Sequence, residues 1–345
     1  MQTDNLRIQQ THPLISPAVL EEELPLTEEA GELVTRSREV VREILSGADP
    51  RLLVVVGPCS IHDPDAAEEY AGRLAALSEE VSLQIYCVMR VYFEKPRTVV
   101  GWKGLINDPD LDGSYRINKG LRLARQVLIK VNEVGLPAAT EFLDTTFGQY
   151  YTDLVSWGAI GARTVESQIH RELASGLSMP VGLKNRTDGD VQVAVDAIRA
   201  AGHRDLFPSL TKEGAPAILE TRGNPDCHLV LRGGSEPNCD AESIAAAQAL
   251  LGNAGLPDTV MVDCSHANSG KDPERQPEVA RSVVSLRSRS GGRAAGIRGL
   301  MIESHLSGGR QDVSEQMRYG VSITDGCLGF EDTRALLLEL AEMLA

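Results

Sequence analysis

RLLVVVGPCSIHDPDAAEEYAGRLAALSEEVSLQIYCVMR (51–90) decides the fold. RLLVVVG (51–57) is a short, near-continuous apolar run rich in β-branched residues. Such runs suit strands buried on both faces, as in a parallel sheet. After Asp63-Pro64, a helix start, DAAEEYAGRLAALSEE (65–80) spaces apolar residues three and four apart. SLQIYCVMR (82–90) returns to a strand. Parallel strands need crossovers of this length, and such crossovers are right-handed.

The same unit recurs along the chain. Further strand-like runs are LPAATEF (136–142), WGAIGAR (157–163), PVGLKN (180–185), CHLVLRG (227–233), VMVDCS (260–265) and RGLMIES (298–304), which makes eight in all. Helical spacing fills the intervals. It is found in INKGLRLARQVLIKVNEVG (117–135, with Gly135 as C-cap), TTFGQYYTDLVS (145–156), SQIHRELASGL (167–177) and VQVAVDAIRAAG (191–202). AESIAAAQALLGNAG (241–255), PEVARSVVSLRSR (277–289) and EDTRALLLELAEMLA (331–345) complete the set. Eight βα units predict an α/β chain closed into a (β/α)8 barrel over residues 51–345, with an open doubly wound sheet as the alternative. Residues 1–50 stand outside the repeat as an irregular, Pro-containing arm and one amphipathic helix, TEEAGELVTRSREVVREIL (27–45). The long connection 203–226 carries turn signals at Glu213-Gly214 and Gly223-Asn224, and its apolar centre AILE predicts a β-hairpin-like insertion.

Composition narrows the function. The chain has 345 residues and a formal net charge of −15. That argues against a nucleic-acid partner, because backbone phosphates demand a basic surface. Small phosphorylated ligands need only a local basic pocket. The six cysteines are scattered with no C-x-x-C pair, which suggests neither a disulfide framework nor a zinc ribbon. The opening MQTDNLRIQQTH has no apolar core, and no apolar run approaches the roughly 20 residues that span a bilayer. A reduced, cytoplasmic compartment without membrane contact is expected.

A barrel carries its chemistry at the C-terminal ends of its strands. Two constellations lie there. The first is cationic: Arg90, Lys95, Arg97, Arg163, Lys184 and Arg232. Six cations on one rim are too many for one phosphate, and they suit doubly ionised or doubly phosphorylated ligands. The alternative is a structural network in which each pairs with a carboxylate. The second is mixed: Cys59, His266, Glu303 and Asp325, brought together by closure of the barrel. One thiol, one imidazole and two carboxylates suit a divalent transition metal, with zinc, iron, manganese and cobalt all compatible. Read singly, Cys59 is a buried core thiol and His266 a core histidine.

VVVGPCSIHD (54–63), MRVYFEKPRTVVGWKGLINDP (89–109), SWGAIGARTVESQIHRELASGLSMPVGLKN (156–185), HLVLRGG (228–234), DCSHANS (263–269), MIESHL (301–306) and YGVSITDGC (319–327) carry a resemblance. The chain resembles the type I 3-deoxy-D-arabino-heptulosonate 7-phosphate (DAHP) synthases, in particular the Phe-, Tyr- or Trp-sensitive bacterial subfamily. The likeness runs nearly end to end. It implies a TIM barrel, a required divalent metal, and condensation of phosphoenolpyruvate with erythrose 4-phosphate, the first step of the shikimate pathway to aromatic amino acids. It implies Cys59, His266, Glu303 and Asp325 as metal ligands. Arg90, Lys95, Glu141, Arg163, Lys184 and Arg232 match the phosphoenolpyruvate site, with Glu141 acting through a water. Arg97 and Thr98 match the erythrose 4-phosphate end. Lys95 is the candidate proton donor, with a pKa expected to be lowered by the surrounding cations. A homodimer or homotetramer, with the arm packed on a neighbouring subunit, and an aromatic amino acid effector are implied as well.

Three positions depart from the family pattern: Arg186, where glycine is usual; Glu213, where tryptophan is frequent; and Phe147-Gly148-Gln149, where proline commonly precedes glutamine. Arg186 motivates an alternative, a paralogue that condenses phosphoenolpyruvate with another aldose phosphate. A non-catalytic effector-binding protein is a third reading.

Overall fold

The structure, a computed structural model, describes residues 3–97, 99–289 and 296–345. Its strands are β1 (Leu52–Gly57), β2 (Ile85–Arg90), β3 (Ala138–Glu141), β4 (Trp157–Ile160), β5 (Val181–Lys184), β6 (Leu206–Leu210), β7 (Pro216–Glu220), β8 (Cys227–Leu231), β9 (Val260–Asp263) and β10 (Ile297–Glu303). All but β6 and β7 are parallel and close into a barrel in the order β1-β10-β9-β8-β5-β4-β3-β2. Closure runs through β1 and β10, which set Val55 beside Met301 and Gly57 beside Glu303. The eight apolar runs thus become the eight barrel strands, and the open sheet is excluded. β6 and β7 form the expected inserted hairpin, antiparallel from Leu206↔Glu220 to Leu210↔Pro216.

The helices are α1 (Pro17–Glu23), α2 (Glu28–Ser46), α3 (Pro64–Glu80), α4 (Ile117–Glu133), α5 (Gln168–Gly176), α6 (Gln192–Ala201), α7 (Ala241–Asn253), α8 (Gln276–Arg289) and α9 (Phe330–Leu344). None is long and apolar enough to cross a membrane, among the described residues. One expected helix is corrected. TTFGQYYTDLVS instead forms two short 3-10 turns, Phe147–Tyr150 and Thr152–Leu154. Tyr151 breaks the run at φ −153°, and its buried ring stacks on Phe142, with centroids 6.2 Å apart. The arm also holds more order than its composition suggests. Ser16 caps α1, and Lys212 at the hairpin ties it down through Glu21 at 2.5 Å and through the carbonyl of Gln149 at 2.6 Å.

Strand residues alternate between the barrel interior and the helix-facing layer. Leu53, Val55, Val88, Ala139, Trp157, Ala159, Val230, Met261 and Met301 pack together inside. Val41, Ile44 and Leu45 of α2 join that cluster and close the N-terminal end of the barrel. Thr27 caps this helix by accepting from the amide of Ala30, and Gly47 ends it at φ +81°. Trp157 fits only because β5 offers glycine: a Cβ on Gly182 would stand 2.4 Å from the indole. The interior is therefore filled at one end, which leaves the strand C-termini as the place for a cavity.

Candidate active site

A cavity of about 420 Å³ opens at those C-termini. Of the expected site residues, Lys95, Arg97, Glu141, Arg163, Lys184, Arg232, His266, Glu303 and Asp325 line it. Cys59 and Arg90 lie behind the wall, at 0% and 1% exposure. Thr98 falls outside the described residues. Glu141 projects from the end of β3 over Gly161, where a Cβ would meet Oε1 at 2.4 Å.

The six cations divide into two kinds. Arg90 is salt-bridged to Glu303 (Nη2–Oε1 3.1 Å), with its guanidinium 4.0 Å above the ring of Tyr92. Lys184 meets Asp263 at 2.9 Å, and both are buried. Lys95 donates to the Sγ of Cys59 at 2.9 Å and lies 3.6 Å from Asp325. For these three the structural network is real. Arg97, Arg163 and Arg232 form none of the ion pairs found among the described residues; their recorded partners are backbone carbonyls. Burial, and then the charge of Arg163, lower the pKa of Arg232. Two such cations at one cavity face an electrostatic penalty that an anionic ligand would relieve.

The mixed constellation assembles in part. Donor atoms of Cys59, Glu303 and Asp325 lie within 4.8 Å of one another. His266 lines the same cavity but stands outside that group. Its Nδ1 is 2.9 Å from Oδ2 of Asp263, a contact not aligned as a hydrogen bond. A carboxylate on one ring nitrogen leaves Nε2 as the ligating atom, an arrangement usual for histidines around metals. His266 is held at φ +50°, a left-handed backbone uncommon for non-glycine residues. Burial, and next the nearby Glu303, push the Cys59 thiol up to about 12. The protein alone therefore keeps it protonated, and a dication is the agent that would make it a thiolate. This donor set, one soft sulfur with two hard carboxylates, fits a borderline divalent transition ion.

The expected lowering of the Lys95 pKa is corrected. Burial acts in that direction, but Cys59, Glu303 and Asp325 outweigh it and hold the ammonium above its ordinary value. Lys95 sits among Cys59, Glu303 and Asp325, and shares Glu303 with Arg90. Arg186 stands next to the cavity in sequence but does not line it, whereas its neighbour Thr187 does. Its guanidinium is held by Asp188 and by Glu166 (2.7 Å).

Sequence reasoning passed over the supporting residues. Asp263 is fully buried between Lys184 and His266; burial alone would raise its pKa, yet those two neighbours hold it well below the usual carboxylate range. Its place directly before Cys264-Ser265-His266 was the available signal. Ser265 donates to Oε2 of Glu303 at 2.8 Å. Gln276, at the start of α8, clamps the main chain of Glu303 by two hydrogen bonds of 2.8 and 2.9 Å.

Residues 23–338 match the DAHP synthetase I family. The chain belongs to that family. The Phe-sensitive phospho-2-dehydro-3-deoxyheptonate aldolase of Escherichia coli K12 is 56% identical over 342 residues, covering 99% of this chain and 97% of that protein. The Trp-sensitive enzyme of the same strain is 53% identical, covering 98% of this chain and 97% of that protein. Among solved structures, phospho-2-dehydro-3-deoxyheptonate aldolase from Francisella tularensis SCHU S4 superposes with a TM-score of 0.95 at 50% identity, covering 98% of each chain. The resemblance read from the motifs is borne out, and with it the expectation of a DAHP synthase. These relatives do not favour the paralogue or the non-catalytic reading.

Proposed function

We propose that the chain condenses phosphoenolpyruvate with erythrose 4-phosphate and water to give DAHP and inorganic phosphate, opening the route to aromatic amino acids. The observation that carries this reading is the double lining of one cavity. Arg97, Arg163 and Arg232, without carboxylate partners among the described residues, share it with Glu303 and Asp325, whose donor group is completed by Cys59 behind the wall. Arg163, Lys184 and Arg232 bind the phosphate and carboxylate of phosphoenolpyruvate, and Arg90 supports them through Glu303. Arg97, with Thr98 beside it in the sequence, takes the phosphate of the aldose. Fixing both anions turns a bimolecular encounter into a positioned one.

Cys59, Glu303, Asp325 and the Nε2 of His266 would hold one divalent ion, manganese, iron, cobalt or zinc. That ion supplies Lewis acidity toward the aldehyde oxygen. Carbon 3 of phosphoenolpyruvate bonds to the aldehyde carbon, and the aldehyde oxygen takes a proton. Lys95, placed beside Cys59 and Asp325, holds that proton at Nζ. Glu141 orients the water whose oxygen joins carbon 2 of phosphoenolpyruvate. The bond from carbon 2 to the phosphate oxygen then breaks and phosphate leaves.

Relatives named for sensitivity to Phe or Trp support an aromatic amino acid as effector. Apolar side chains exposed on the hairpin, Leu206 and Ile218, and on the arm, Leu6 and Ile8, support a homodimer or homotetramer. Six free cysteines support a reduced cytoplasm. An aldose panel tests the main reading, with phosphate release from phosphoenolpyruvate as readout. Erythrose 4-phosphate is expected to be the best acceptor, and a different best acceptor would contradict it. The same assay titrated with Phe, Tyr and Trp identifies the effector.

A further inference from the structure

Glu94 has no part in the chemistry above, yet it lines the cavity while being only 5% exposed. Its main chain pairs with Gly104 in an antiparallel bridge, and the amide of Lys95 donates to the carbonyl of Lys103 at 2.9 Å. Only glycine closes that bridge, because a Cβ at position 104 would fall 2.0 Å from the carbonyl oxygen of Phe93. Glu94 therefore stands at the base of the loop that carries Lys95 and Arg97. Its side chain reaches the other way, where Oε2 accepts from the amide of Asp144 at 3.3 Å in the loop that follows Glu141.

The groups facing this carboxyl are acids. Asp144 and Glu141 approach from β3 and its loop, and the phenol of Tyr151 approaches from the 3-10 turns. That phenol is buried without a hydrogen-bond partner among the described residues. The neighbouring cation, Lys95, is spent on Cys59 and Asp325. A buried carboxylate in this company would be repelled from two sides, offset by the backbone amides of Asp144 and Leu143 alone among the groups that touch it. Burial, reinforced by Asp144 and Glu141 and opposed by the Asp144 amide, pushes Glu94 up to about 8.

We infer that Glu94 is a positioning residue that works as a neutral carboxylic acid. It pins the loop bearing Lys95 to the loop after Glu141, and so fixes the aldehyde side of the cavity against the phosphoenolpyruvate side. This inference rests on the proposed condensation. Below its pKa the neutral acid holds the two loops together; above it, an added anion beside Asp144 and Glu141 drives them apart.

The test compares the metal-loaded wild type with Glu94→Gln and Glu94→Ala, across about pH 6.5 to about pH 9.5. Glutamine copies the neutral acid. At neutral pH, Glu94→Gln is expected to keep kcat/KM for erythrose 4-phosphate within about threefold of wild type, and to lose the decline that wild type shows near pH 8. Glu94→Ala is expected to raise the KM for erythrose 4-phosphate about tenfold or more, with the KM for phosphoenolpyruvate within about threefold. Trp102 reports on the same loop without turnover. Its fluorescence, taken as the difference from Trp102→Phe, is expected to shift near pH 8 in wild type and not in Glu94→Gln. The inference is overturned if Glu94→Gln is as impaired as Glu94→Ala at neutral pH, or if it keeps the alkaline decline. Should Glu94→Ala not fold, the Glu94→Gln profile decides alone. A wild type that releases no phosphate from these substrates defeats the proposed condensation, and the Trp102 signal still decides the role of Glu94.

Discussion

The two ends of this barrel are built from the same eight strands and do opposite things. At the N-terminal end, Leu53, Val55, Trp157 and Met261 meet Val41, Ile44 and Leu45 of α2 in a packed apolar plug. At the C-terminal end, a few residues further along those strands, Arg90, Lys184, Asp263 and Glu303 are also buried, but as ions. Apolar burial stabilises outright, whereas a buried ion pair barely offsets its desolvation and becomes a liability when one partner is lost. The plug is therefore free to make the fold stable, and the mouth stores charge where substrates and metal can use it.

Breaking the ionic end gives the largest expected effect. Arg90→Met strands Glu303 in the interior and is expected to destabilise the protein by about 3–5 kcal/mol in chemical denaturation, with activity lost as well. Ile44→Ala at the plug should cost about 2–5 kcal/mol in the same assay, with kcat/KM near wild type. A plug variant that lost activity in proportion to stability would erase the contrast.

A subtler probe is His228, inside the apolar end, where its Nε2 accepts from the indole of Trp157 at 3.2 Å. Burial lowers it to about 4. The unfolded chain, with an ordinary histidine pKa of about 6.5, binds the proton first as pH falls. The stability owed to neutral His228 is thus full above that value and is lost progressively toward pH 4. Thermal melts should show a slope of up to about 1.4 kcal/mol per pH unit in that window, flattened in His228→Gln. The smallest effect is expected for Arg186→Gly. That side chain is engaged with Glu166 and Asp188 at the surface, so kcat/KM for erythrose 4-phosphate should change by less than about threefold.

The difference between the ends also explains what the sequence made legible. Apolar runs such as VVVG and VMVD advertise buried strands directly, so the barrel and its rim could be read in order. Cys59, Glu303 and Asp325 could be grouped because closure of the ring brings the end of β1 beside β10 and the segment that follows it. What escaped depends on register and rotamer. That His266 faces Asp263, that Lys95 sits among anions, and that Gln276 clamps Glu303 are consequences of packing between distant segments. The 3-10 turns escaped because apolar spacing in TTFGQYYTDLVS matches a helix, while the backbone of Tyr151, at φ −153°, departs from one. α1 was missed because seven residues carry too little periodicity to see.

On the proposed function, Cys59, Glu303, Asp325 and His266 at the mouth would hold a divalent ion for condensing two phosphorylated substrates. The most direct measurement is phosphate release from phosphoenolpyruvate and erythrose 4-phosphate by protein stripped with chelator, then supplied with manganese, iron, cobalt or zinc. The account predicts no turnover in stripped protein, recovery with at least one of these ions, and no recovery in a folded Cys59→Ala variant. Full turnover by protein that elemental analysis shows to be free of metal would contradict it.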